Sequence, residues 1–295
     1  MALSKIDTHV HGCLVKTPRE NPWRPEAAYT ADWRELKDHL LSQGISRAIL
    51  MSSGEQASKG FPGSCNAECM EIAGHDQFFA WMCNVDSVSP QTVRDRLAAC
   101  KAQGAVGVGE LMVNQWLDSP FLTSVFEAAQ ELELPVTIHM SPEPGVSYGV
   151  CDRPGLPLLE GVLQRFPKLK LVGHSQVFWA EISADCPADV QGRNGFGQGP
   201  VLPGGQIEKL MDAYPNLYAD LSAYSASCAI LRDEEYGLAF LKKYASRLFF
   251  ATDTTNRYDV FPLGQFLDTA AVDGRLPQEV WEAICVKNAK RIYGL

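Results

Sequence analysis

Short apolar runs alternate with amphipathic stretches along the chain, and this rhythm predicts a repeated β/α pattern. The runs Lys5–His11, Arg47–Ser52, Phe78–Val85, Ala105–Met112, Pro135–Met140, Leu169–His174, Leu217–Leu221 and Leu248–Thr252 read as eight strands. They are rich in Val, Ile, Leu and Phe instead of alternating apolar with polar, as parallel strands covered on both faces are. Helical patterns lie between them. Ala31–Gln43 places Trp33, Leu36, Leu40 and Leu41 at helical spacing. Ser89–Gln103 and Ser119–Glu133 both open with Ser-Pro, a cap followed by proline at the first helical position. Leu156–Phe166, Gln206–Ala213, Asp233–Tyr244, Pro262–Thr269 and Pro277–Tyr293 complete the set. Such an alternation predicts an α/β fold closed as a (β/α)8 TIM barrel. The 295 residues fit one domain over 1–295, since a barrel of this kind takes roughly 250.

Two segments break the rhythm. Thr17–Tyr29 holds Pro18, Pro22, Pro25 and Trp23; Ser175–Gly205 is rich in Gly and Pro and holds Trp179, Arg193 and Phe196. Both follow strand ends, on the face where barrel enzymes build their sites. Long ordered loops are commonly functional.

Several apolar runs end in a polar residue. Asp7-Thr8-His9-Val10-His11 puts His9 and His11, and Asp7 with them, on one face of the first strand. Two imidazoles so spaced form a ligand pair for Zn²⁺ or a similar ion. His139 ends the fifth run, His174 the sixth and Asp253 the eighth. Burying any of them without a partner would cost several kcal/mol, and a shared metal is one cause that accounts for all five. Glu110 ends the fourth run and reads as a further ligand, a support behind the ligands, a substrate contact, or a satisfied carboxylate in the barrel mouth. His39, beside Lys37 and Asp38, and His75, in Gly74-His75-Asp76-Gln77, read as solvated.

Composition narrows the function classes. The net charge of −9, from 26 basic and 35 acidic residues, argues against nucleic acid or anionic membrane as partner and leaves a small-molecule substrate. Nine scattered cysteines without a CxxC pair read as reduced thiols. The start MALSKIDTHVHG lacks a signal-peptide pattern, and no apolar stretch approaches the ~18 residues of a membrane span, so a cytoplasmic protein is expected. No GxGxxG follows the first strand and no GxxxxGK[ST] occurs, against nucleotide chemistry. A homodimer is a candidate assembly.

With these residues in place the chain resembles the amidohydrolase superfamily, and within it the amidohydrolase 2 branch, which holds aminocarboxymuconate semialdehyde decarboxylase-like metal-dependent hydrolases and decarboxylases. The resemblance spans HxH on strand one, His on strands five and six, Asp on strand eight, and the ending Val286-Lys287-Asn288-Ala289-Lys290-Arg291-Ile292-Tyr293-Gly294-Leu295. It implies one divalent ion, zinc or manganese, held by His9, His11, His139 and Asp253, with His174 catalytic or water-orienting and Asp253 moving protons. No lysine ends strand four where two-metal members carry a bridging one; Glu110 lies near that slot. Two activities follow from the resemblance: hydrolysis of a lactone, amide or ester of a small organic acid by activated water, or non-oxidative decarboxylation of an unsaturated or aromatic acid. Trp23, Trp179 and Phe196 would suit a flat acid and Arg193 its carboxylate, or all four anchor loops. A metal-free or purely ligand-binding barrel is the rival class.

Overall fold

A computed structural model describes residues 4–19, 21, 24–56, 64–87 and 89–295. Among these residues, eight parallel strands form the barrel wall: β1 (Lys5–Val10), β2 (Ile45–Leu50), β3 (Phe79–Trp81), β4 (Val108–Leu111), β5 (Val136–Ser141), β6 (Leu171–His174), β7 (Leu217–Asp220) and β8 (Leu248–Phe249). Continuous ladders join β1–β2–β3 and β4–β5–β6–β7–β8. Two seams close the ring. The Cys83–Val108 bridge joins β3 to β4, and the Val10–Thr254 bridge joins β8 to β1, helped by Thr8 N donating to Phe250 O.

Several strands are shorter than their apolar runs, because the seams continue the pairing as single bridges where a twisted barrel cannot hold a full ladder. Helices cover the wall. Trp33–Ser42 buries Leu36 and Leu40 but leaves Leu41 49 % exposed, so the helical stripe is narrower than the apolar spacing implies. Ser119 caps Pro120–Glu131 by accepting from Leu122 N. The second Ser-Pro entry instead runs through a 3-10 turn, Pro90–Thr92, before Val93–Ala102, and Ser89 makes no such cap. Two helices unforeseen in the pattern, Asn66–His75 and Ala223–Leu231, follow β2 and β7. The 175–205 segment carries the short helices Gln176–Ala180 and Val190–Arg193. In the 17–29 segment, Thr17–Pro18 pairs with Tyr29–Thr30; Trp23 lies outside the described residues. No helix among the described residues is long and apolar enough to cross a membrane. None of the nine cysteines is in a disulfide.

Candidate metal centre

The C-terminal ends of the strands deliver a buried polar cluster to the barrel mouth. His9 and His11 leave β1 with their Nε2 atoms 3.3 Å apart. Asp253 follows β8 in a left-handed conformation (φ 62°), which swings its carboxylate inward. Its Oδ1 lies 3.1 Å from His11 Nε2 and 3.5 Å from His9 Nε2. Glu110, on β4, brings Oε2 to 3.5 Å from His11 Nε2 and 3.7 Å from His9 Nε2. The other oxygen of Glu110 faces elsewhere: Oε1 accepts from His139 Nδ1 at 2.6 Å and lies 3.4 Å from His174 Nε2. His139 and His174 are register partners on β5 and β6, with ring centroids 5.1 Å apart. The Ser175 hydroxyl locks that pair by accepting from Met140 N (3.1 Å) and donating to Met140 O (2.9 Å).

One carboxylate behind the cluster fixes two of its rings. Asp220, at the end of β7 and buried, accepts His9 Nδ1–H on Oδ2 (2.8 Å) and His174 Nδ1–H on Oδ1 (3.0 Å). Ser222 adds its hydroxyl to Oδ1 at 2.7 Å. With each Nδ1–H directed at Asp220, it is Nε2 of both rings that faces the cluster, and loss of the Nε2 proton on ion binding would leave there the lone pair a metal ligand needs. The sequence reading missed Asp220, although a charged residue ending the apolar run Leu217-Tyr218-Ala219 is the same signal that marked His139 and His174. Asp7, expected on the face of His9 and His11, does not join them. The Asp7 carboxylate is instead taken up by accepting from Thr252 N (3.1 Å), Thr252 Oγ1 (2.7 Å) and His9 N (3.1 Å). Burial raises its pKa to about 7.

The electrostatics follow from packing opposite charges in a water-poor site. Burial works against charge on His9, but Asp220 and Asp253 outweigh it and hold the imidazole well above its usual range. His174 is likewise raised, burial being overcome by Asp220. Burial also opposes the charges of Glu110, Asp220 and Asp253, yet the surrounding histidines win and keep all three ionised below the usual carboxylate range. His139 is lowered by burial, which Glu110 only partly offsets.

The donor set passes a geometric test for a divalent cation. Ligand bonds of about 2.0–2.2 Å set neighbouring donors roughly 3.0–3.6 Å apart. Four of the separations above, 3.1 to 3.5 Å among His9, His11, Glu110 and Asp253, fall in that range, and the fifth, His9 to Glu110, exceeds it slightly at 3.7 Å. Among the described residues three groupings could hold an ion: His9, His11 and Glu110; His9, His174 and Asp253; Glu110, His139 and His174. All six residues marked at strand ends, His9, His11, Glu110, His139, His174 and Asp253, therefore converge, with His139 grouped beside Glu110 and His174. The loop residues divide differently. Arg193 is 2 % exposed and donates to Pro142 O (3.3 Å), Asp152 O (2.8 Å) and Arg153 O (3.1 Å), so it anchors two loops and offers a substrate nothing. Trp179 is buried against Phe178 and Phe240, while Phe196 is exposed against Tyr224. His75 is exposed and His39 partly buried, both away from the cluster.

Comparison with known proteins agrees with this architecture. The chain resembles the 2,6-dihydroxybenzoate decarboxylase from Rhizobium, at 14 % identity and TM-score 0.65 over 99 % of this chain and 98 % of that one. A candidate 2-pyrone-4,6-dicarboxylic acid hydrolase from Pseudomonas putida matches at 18 % identity and TM-score 0.59, covering 100 % and 98 %. The 5-carboxyvanillate decarboxylase from Novosphingobium aromaticivorans, complexed with manganese and 4-hydroxy-3-methoxy-5-nitrobenzoic acid, matches at 16 % identity and TM-score 0.62, covering 99 % and 96 %. At these identities the likeness establishes the TIM-barrel fold. No curated protein sequence matches. The amidohydrolase 2 family model, described as Amidohydrolase, matches residues 6–295, and the chain belongs to that family of metal-dependent enzymes.

Proposed function

We propose that the protein is a metal-dependent hydrolase of a small organic acid derivative, a lactone, amide or ester, acting at the barrel mouth. The observation that supports this most is the position of Asp253. Its Oδ1 faces His9 and His11, its Oδ2 lies 3.9 Å from His174 Nε2, and its side chain, 26 % exposed, is the cluster member most open to the mouth. His9, His11, Asp253 and Glu110 would hold one divalent ion, zinc or manganese. Bound there, such an ion supplies Lewis acidity that acidifies water and polarises a carbonyl or carboxylate. Asp253 would take a proton from the attacking water and return it to the leaving group. His174, held by Asp220, would steady the developing oxyanion. The two oxygens of Glu110 face two separate histidine pairs, which favours a second ion at Glu110, His139 and His174 over the single ion expected from the sequence.

Decarboxylation of an unsaturated or aromatic acid is the second reading, favoured by the full-length likeness to two decarboxylases, one of them holding manganese and a nitrobenzoic acid. It needs the same ligands, with Asp253 or His174 delivering the proton to carbon. One barrel domain over residues 1–295 and a small-molecule partner belong to both readings, and nine cysteines kept as thiols support a reducing, cytoplasmic setting.

Metal analysis of protein purified without chelator should find one equivalent of divalent ion or two. Substoichiometric metal, activity indifferent to chelator, and unchanged activity in His9→Ala would remove the metalloenzyme reading. Panels of lactones and of unsaturated acids, followed by acid release and CO2 evolution, separate the two reactions; turnover of the first panel alone defeats the decarboxylase.

A further inference from the structure

Between the helices Gln176–Ala180 and Ala223–Leu231, which follow β6 and β7, lies a cavity of about 10 Å³. Trp179, Gly197, Ser225, Ala229 and Arg232 are among the residues that line it, and none of the metal-cluster residues does. It has room for one small guest and is too small for a carboxylate or a phosphate. Ser225, Ala229 and Arg232 share one face of their helix and its cap, at spacings of four and three. The small Ala229 leaves the space open between its two polar neighbours. Gly197 makes room for the Arg232 guanidinium, which a Cβ at that position would strike.

Three donors on this lining have no acceptor among the described residues: Trp179 Nε1–H, Ser225 Oγ–H and Arg232 Nε–H. Trp179 is 2 % exposed and Ser225 5 %, so bulk solvent satisfies neither. Arg232 spends Nη1 on Gln198 O (3.1 Å) and forms no ion pair among the described residues. Its neighbour Asp233 is taken up, accepting from Tyr236 N (3.2 Å) and Val201 N (3.1 Å). No carboxylate lines the cavity. Buried donors almost always find partners, and three around one small opening call for a single shared acceptor. A water oxygen accepts two hydrogen bonds and brings two hydrogens of its own, so it leaves one donor unmet. A monoatomic anion accepts from all three, and Arg232 meets its charge.

We propose that Trp179, Ser225 and Arg232 form a binding site for a monoatomic halide, chloride under ordinary conditions. The ion fastens Gln176–Ala180 to Ala223–Leu231 through charge-assisted donors, beside the strands that end in His174 and Asp220. The site is separate from the metal cluster and holds whichever reaction that cluster performs.

The test uses the full-length protein in crystals and in solution. Crystals soaked in sodium bromide, with diffraction collected at the bromine edge, should show an anomalous peak among Trp179 Nε1, Ser225 Oγ and Arg232 Nε. In solution, chloride replacing gluconate at constant ionic strength should raise Tm until the response saturates, since gluconate is too large to enter. Ser225→Ala and Arg232→Gln should raise the chloride concentration at half-response about tenfold, and Arg232→Lys should keep part of the wild-type affinity. Circular dichroism and metal content should match wild type in all three variants. Density in the cavity without an anomalous signal is water and overturns the site. A bromide peak without a halide-dependent Tm is binding at crystal concentration only and overturns it as well. So does a half-response kept within about twofold in both Ser225→Ala and Arg232→Gln.

Discussion

The two ends of the barrel interior solve the same packing problem in opposite ways. Away from the mouth, Ile6, Ile49, Met51, Ala80, Met82, Val172, Tyr218 and Phe249 fill the ring, closed from below by Ala289, Ile292 and Tyr293 of the C-terminal helix. Tyr218 stacks on Phe249 at 5.7 Å, and Phe249 meets Tyr293 at 5.4 Å. Two residues further along the strands the interior turns charged. Val172 is followed by His174 on β6 and Tyr218 by Asp220 on β7, each pair sharing a face by the period of two. The lower layer contributes stability through apolar burial and close packing. The upper layer contributes little without a cation, because buried charges lose hydration that their mutual attraction scarcely returns. Stability and chemistry are thus stacked one step apart on the same strands.

The comparison can be broken most forcefully from below. Phe249→Ala should cost about 3–5 kcal/mol in chemical unfolding, as deletion of a fully buried ring does, while the folded fraction keeps its ion affinity. A loss under about 1 kcal/mol would mean that the plug does not hold the barrel. From above, Zn²⁺ or Mn²⁺ at about 100 times its Kd should stabilise wild type by about 2.7 kcal/mol, and His9→Ala or His11→Ala should abolish that gain. Because the raised His9 and His174 retain protons in the ion-free cluster, ion binding must release them, so the gain should shrink as pH falls. A stabilisation that grew on acidification would contradict this proton release.

Smaller effects sharpen the division. Asp220→Asn keeps the shape but cannot accept both imidazole protons, and should weaken ion affinity about 10–100-fold with the fold intact. An unchanged affinity by titration would remove its positioning role. Ser119→Ala, in the helical shell outside the cluster, should cost about 1 kcal/mol of stability through the lost cap and leave ion binding untouched.

The barrel was legible because its strands are apolar throughout and end in marked residues. His9, His11, Glu110, His139, His174 and Asp253 each interrupt an apolar run, and all six converge. Asp220 carries the same mark within the run Leu217–Leu221, as His139 and Glu110 do within theirs, and was passed over although the signal was there. Asp7 stays out of the donor set because its carboxylate is held by Thr252 of the eighth strand's end, a tertiary pairing that no local residue announces. The helix Ala223–Leu231 escaped because its buried face is largely Ser and Ala, small residues that give weak apolar periodicity. Asn66–His75 buries only Cys69 and Ile72, too few for a stripe. The role of Arg193 could not be read from sequence: that its guanidinium is spent on carbonyls depends on how the long loops close, a tertiary matter.

The shared carboxylate of Asp220 has a consequence for how this site can change over time. Replacing either His9 or His174 singly strands half of a buried anion, so the harm of the first replacement depends on whether the other ring and Asp220 are replaced with it. Substitutions at these three positions should therefore be epistatic, with combined effects smaller than their sum. A lineage drifting toward a metal-free mouth would be expected to lose the trio together, instead of eroding it one histidine at a time.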